Sequence, residues 1–137
     1  MDAKRILLVD DEVAFTNSLS RLLLVRGYEV QAVNDGKEAL RVLGEAPFDA
    51  VVLDLKMPGM DGITTLEEIQ QLGLFTQTII LTGHGTEETA EKARKMGAHD
   101  FLHKPFDLKE LLASLEGALK KKTRVETKAD LDDLIRS

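Results

Sequence analysis

Four short clusters of chemically capable residues recur along the chain, each directly after an apolar run. Val9 is followed by Asp10, Asp11 and Glu12, and Leu53 by Asp54 and then Lys56-Met57-Pro58-Gly59-Met60-Asp61-Gly62. Leu81 is followed by Thr82-Gly83-His84-Gly85, and His103 by Lys104-Pro105-Phe106. One Asp after a strand is most simply a turn or helix-capping residue. Asp10, Asp11 and Asp54 brought together would be different. Two like charges about 4 Å apart repel by roughly 4 kcal/mol at an effective dielectric of about 20. Such a cluster is stable only around a cation, and oxygen donors without His or Cys select a hard ion, Mg²⁺ before others, with Mn²⁺ an acceptable substitute. Lys104 adds a point positive charge suited to a phosphate oxygen, and Thr82 a hydroxyl able to donate to one. Carboxylate, divalent cation, ammonium and hydroxyl are the set that phosphoryl transfer onto a carboxylate requires. Glu12 is assigned to the first turn of the helix that follows.

These residues can meet only if the elements around them converge, and two hydrophobic periods alternate in the way this needs. β-rich runs at Ile6–Val9, Tyr28–Val33, Ala50–Leu53, Thr78–Leu81 and Phe101–His103 are separated by amphipathic stretches. The first stretch carries Phe15, Leu19, Leu22 and Leu23 and stops at Gly27; the second carries Ala39, Leu40, Val42 and Leu43 and stops at Gly44. The third has Ile63, Leu66, Ile69 and Leu72 before Gly73; the fourth runs from near Thr86 to Gly97; the fifth opens at Asp107 and continues through Leu111, Leu112, Leu115 and Leu119. Five strands alternating with five helices predict right-handed crossovers and a parallel sheet covered on both faces. The fold class is α/β, doubly wound, with a flavodoxin-like strand order 2-1-3-4-5 as the expectation; the alternation is legible, the order is not. The fourth helix has only Ala90, Ala93 and Met96 to bury. It is either weakly anchored or packed unusually close to the sheet.

Composition removes other classes. The chain of 137 residues has no cysteine, which excludes disulfide frameworks, thiolate metal sites and cysteine nucleophiles. With 24 acids against 18 bases the formal charge is −6, which argues against direct nucleic-acid binding driven by phosphate neutralisation. Apolar runs are far shorter than the roughly 18 residues of a membrane span, and the first residues carry no signal-peptide pattern, so the expected compartment is the cytoplasm with no membrane partner. Residues 1–122 read as one domain, and 123–137 as a tail or linker stub.

The series Val9-Asp10-Asp11, Leu53-Asp54 through Gly62, Leu81-Thr82-Gly83 and Lys104-Pro105-Phe106 resembles the receiver domain of two-component response regulators, over about residues 4 to 121. The resemblance implies that Asp54 accepts phosphate from a histidine kinase or histidine phosphotransfer protein. It implies that Asp10 and Asp11 bind Mg²⁺ with Asp54 and the backbone carbonyl of Lys56. Thr82 and Lys104 would contact the phosphoryl group, and Phe101 would be the aromatic that changes rotamer when the threonine moves. Lys56 and His84 fall at positions that tune dephosphorylation by water, although His84 also reads as a plain loop histidine. Gly83 stands where alanine is usual, and Phe101 where tyrosine is frequent.

Rival chemistries fit less well. A haloacid-dehalogenase-type enzyme needs a second Asp two residues after the first, where this chain has Lys56. A flavin-binding flavodoxin needs a hydroxyl- and glycine-rich loop after strand one, where Asp10-Asp11-Glu12 would repel phosphate. A module used only for dimerisation would lack part of the acid set or the lysine. The expected output surface is helix four, strand five and helix five, which would take a downstream protein, an output domain or a second copy. Catalysis would be limited to the domain's own phosphorylation and dephosphorylation. Two readings stay open: a stand-alone receiver, and a receiver cut from a longer transcription regulator or hybrid kinase.

Overall fold

A computed structural model describes residues 3–120 apart from 58, 60 and 74. The stub expected at 123–137, and Pro58 and Met60 of the loop after Asp54, lie outside the described residues. The elements are β1 (Arg5–Val9), α1 (Val13–Val25), β2 (Glu29–Val33), α2 (Gly36–Glu45), β3 (Ala50–Leu53), α3 (Gly62–Gln71), β4 (Gln77–Thr82), α4 (Glu87–Lys95) and β5 (Asp100–His103). A fifth helix, α5, covers 108–120. All strand pairs are parallel, in the order β2-β1-β3-β4-β5.

Alternation along each strand sends side chains to two cores, one on either face of the sheet. Leu7, Val9, Val51, Leu53, Ile80 and Phe101 meet α2, α3 and α4 on one face. Ile6, Leu8, Val52, Ile79, Leu81 and Leu102 meet Leu19 and Leu23 of α1 and Leu111, Leu115 and Ala118 of α5 on the other. β3 is apolar at every position because both its faces are covered.

Three details differ from the periodic reading. Leu22 is 43% exposed, and Thr16 is buried with Leu19 and Leu23 in its stead. At about 100° per residue Leu22 lies too far round from Leu23 to share the inward stripe. Leu72, expected to be apolar core, is the C-cap of α3 and is 45% exposed. α2 does not stop at Gly44 but runs on to Glu45. Arg41 bonds to Glu45 across the last turn at 2.9 Å, an i,i+4 pair that offsets part of the roughly 1 kcal/mol a helical glycine costs.

For α4 the close-packed alternative is the one observed. Ala90 and Ala93 lie flat on the sheet, 6% and 0% exposed. Both ends of the helix are pinned. Thr86 and Thr89 form a reciprocal capping box at its start, and Gln70 of α3 donates from Nε2 to the Met96 carbonyl at 2.6 Å.

Candidate functional site

Strand register decides what meets at the carboxyl edge of the sheet. Val9 is level with Leu53 and Leu53 with Ile80, while Thr82 is level with His103. The residues that follow are therefore brought side by side: Asp10 next to Asp54, and Thr82 next to Lys104. Backbone bonds continue the ladder past the strand ends, from Asp54 N to the Val9 carbonyl and from Lys104 N to the Thr82 carbonyl, both 2.9 Å. The sheet thus carries the backbone of the site into place.

Asp10 and Asp54 are nearly buried, 4% and 3% exposed, yet they are bonded very unequally. Asp10 Oδ1 accepts from the Glu12 amide at 3.0 Å, and its Oδ2 accepts from Lys104 Nζ at 2.6 Å. Among the described residues, Asp54 Oδ1 receives a single long contact, from the Lys56 amide at 3.4 Å, and its Oδ2 lies 3.9 Å from Lys104 Nζ. Burial pushes the Asp10 carboxyl above its ordinary range, outweighing the hydrogen bonds from Lys104 and the Glu12 amide that act the other way. At Lys104 the balance reverses. Burial alone would lower its ammonium, but the bond to Asp10, the charges of Asp10 and Asp54 and the bond to Glu12 hold it above the usual lysine value.

A third carboxylate, that of Glu12, joins Asp10 and Asp54. The carboxylates of Asp10, Glu12 and Asp54 lie within 4.8 Å of one another, whereas Asp11 is exposed and outside that group. Glu12 is the N-cap of α1, not part of its first turn. Its side chain makes no capping bond and reaches Lys104 Nζ instead, at 3.2 Å. Asp10 and Glu12 thus share one cation, the Lys104 ammonium. Two buried carboxylates and one exposed one, with no nitrogen or sulfur donor among them, fit a hard divalent cation.

Thr82 is fully buried, and its Oγ1 accepts from the His84 amide at 3.1 Å. Phe101 is inward, 5% exposed. A Cβ on Gly85 would overlap the tip of the Phe101 ring, so the glycine is what lets the β4–α4 loop lie over that ring. His84 and Lys56 line one groove of about 600 Å³ between α3 and α4, together with Met57, Ile63, Glu88 and Lys92. The Lys104–Pro105 peptide is cis.

Sequence reasoning missed several supporting residues. Phe15 of α1 lies 4.2 Å from the Lys104 ammonium, its ring edge-on to Phe106 at 6.0 Å, which confines the lysine from below. Gly62 seals the loop after β3: its amide donates to the Leu55 carbonyl at 2.7 Å, and a Cβ there would lie 2.6 Å from the Asp54 carbonyl oxygen. Alternation at helical spacing hides Phe15 among core positions, while the run Met60-Asp61-Gly62 carried a detectable signal, since Asp61 caps α3 by accepting from Thr64 N at 2.8 Å.

Comparison with known proteins shows the family. The family profile of the response regulator receiver domain matches residues 6–116. The chain is 44% identical over 114 residues to the transcriptional regulatory protein ZraR of Escherichia coli strain K12, covering 83% of this chain and 26% of that protein. It is 36% identical over 126 residues to the transcriptional regulatory protein TrcR of Mycobacterium tuberculosis, covering 92% of this chain and 49% of that one. A crystal structure of a response regulator receiver domain protein from Clostridium thermocellum superposes with a TM-score of 0.84 at 34% identity, covering 89% of this chain and 98% of that chain. The chain belongs to the response regulator receiver domain family, a signalling module of two-component systems. It spans about half or less of the length of these curated relatives.

Proposed function

We propose that Asp54 is the phosphoacceptor of this receiver. The supporting observation is the unequal bonding of the two buried acids: Asp10 is committed to Lys104 and to a backbone amide, and Asp54 keeps an oxygen free to attack. Asp54 would form a P–O bond as the P–N bond of a phosphohistidine breaks, giving an acyl phosphate and returning a neutral imidazole once a proton is taken up. Lys104 would turn from Asp10 to the equatorial phosphoryl oxygens, and Thr82 would give up its bond from His84 N to donate to one of them. Asp10, Asp11, Asp54 and the Lys56 carbonyl are the proposed holders of Mg²⁺. When bound, the ion supplies neutralisation of the carboxylate pocket and of the phosphoryl charge.

The added charge of about −1.5 to −2 would draw in the loop Gly83-His84-Gly85, shift α4 and change the place of Phe101. Lys56 and His84, sharing a groove beside the acceptor, would control water access and so the lifetime of the phosphorylated state. The face made by α4, β5 and α5 is the proposed output surface, for a downstream protein, an output domain or a second copy. Residues 1–122 would be the receiver and 123–137 a linker, acting in the cytoplasm with a histidine kinase or phosphotransfer partner. The greater length of the curated relatives favours a receiver that passes its state to an output domain.

The test is incubation with acetyl phosphate. The reading predicts a Mg²⁺-dependent, hydroxylamine-labile phosphoryl adduct that EDTA prevents. A hydroxylamine-resistant adduct would place the modification on something other than a carboxylate.

A further inference from the structure

We propose that Glu12 is a positioning residue that receives the Lys104 ammonium when a divalent cation enters the pocket. The inference rests on reading this pocket as the metal-dependent acceptor site. Lys104 Nζ sits 2.6 Å from Asp10 Oδ2, so it holds a buried oxygen that a divalent cation also needs. A single and a double positive charge about 4 Å apart repel by roughly 8 kcal/mol at an effective dielectric of about 20. The two cannot share Asp10, and the ammonium must move.

Its exits are few. The Phe15 ring closes the approach 4.2 Å away, braced by Phe106. Asp54 Oδ2 lies 3.9 Å from the ammonium and is as buried as Asp10, so it offers no more hydrated place. Glu12 lies toward solvent, 3.2 Å from the ammonium, its side chain 64% exposed against 16% for Lys104 and 6% for Asp10. A small displacement toward Glu12 therefore carries the charge to a more hydrated place without leaving it unpaired. Glu12 is free for this because, though it stands at the N-cap of α1, it makes no capping bond. Held there, Lys104 stays beside the acceptor instead of swinging into water, ready to meet a phosphoryl oxygen.

The test is a double-mutant cycle on Mg²⁺ affinity, read by NMR titration of wild type, Glu12→Gln, Lys104→Met and the double variant, with the Lys104 ε-methylene shift followed in parallel. Glu12→Gln should weaken Mg²⁺ binding about threefold or more when Lys104 is present, the worth of an exposed charge pair. It should have clearly less effect in the Lys104→Met background. In the wild type the Lys104 shift should respond to Mg²⁺, and Glu12→Gln should alter that response. Equal weakening in both backgrounds would overturn the inference, because Glu12 would then act on the cation directly. Absence of Mg²⁺ binding in the wild type would overturn the metal-site reading itself, and the role of Glu12 with it.

Discussion

The Lys104 ammonium is hydrogen-bonded to Asp10 at 2.6 Å and stands 3.9 Å from Asp54, beyond bonding distance. Two carboxylates of the same type, equally buried and level on adjacent strands, are thus given different work. One is neutralised by a lysine from 94 residues further along the chain. The other is buried and, among the described residues, underbonded, an arrangement that a structural role would not need.

Asp10 should set a pH dependence of stability. Burial raises its carboxyl in the folded chain, so the folded state holds that proton more tightly than the unfolded one. The associated stability is fully present below the ordinary carboxylate value of 3.8 and is lost as pH rises through the raised, folded value. Asp10→Asn removes the penalty. Without Mg²⁺ the variant should melt higher than wild type at pH 7, by about 4 °C for each kcal/mol recovered in a domain of this size. That advantage should vanish near pH 3.5, roughly the bottom of the carboxylate range. Thermal melts at the two pH values check both halves.

Gly62→Ala should be disproportionately damaging for a helix-start alanine. The new methyl would meet the Leu55 and Asp54 backbone, which cannot give way as a flexible side chain can. Overpacking of this kind costs about 1–3 kcal/mol, and it would displace the acceptor. Urea unfolding should show the loss, and the rate of acetyl phosphate uptake should fall with it. Unchanged uptake would mean the loop position is not what orients Asp54.

Gly85→Ala addresses the switch without touching the acceptor. Its methyl would overlap the tip of the Phe101 ring, a group that can rotate away. The variant should drive Phe101 outward before any phosphorylation, at a cost of up to about 2–3 kcal/mol for the lost burial. Ring-proton or fluorophenylalanine NMR would report the ring as solvent-exposed, and the resonances of the α4, β5 and α5 face should shift with it. A ring that stays buried would show the loop, not the aromatic, to be the yielding part.

Much of this was written in the sequence, for definite reasons. Strand ends are sharp where apolar runs stop at polar residues, so the sequence alone puts Asp10, Asp54, Thr82 and Lys104 on one edge of the sheet. Strand order was not legible, because crossover direction and neighbour choice depend on packing between distant segments. Glu12 departs from the helical reading because periodicity reports which face a helical residue takes and says nothing of where a turn carboxylate reaches. Leu22 failed for a related reason: an apolar side chain at the margin of a helical stripe satisfies the pattern and still faces water. Gly62 and Gly85 act by the atoms they lack, and a pattern of side chains cannot reveal what approaches them.

The central claim is that Asp54 takes the phosphoryl group, and intact-mass measurement after incubation with Mg²⁺ and acetyl phosphate tests it most directly. The wild type should gain the mass of one phosphoryl group, and Asp54→Asn, folded to the same degree by circular dichroism, should gain none. No gain in the wild type, or an equal gain in the variant, would contradict the assignment.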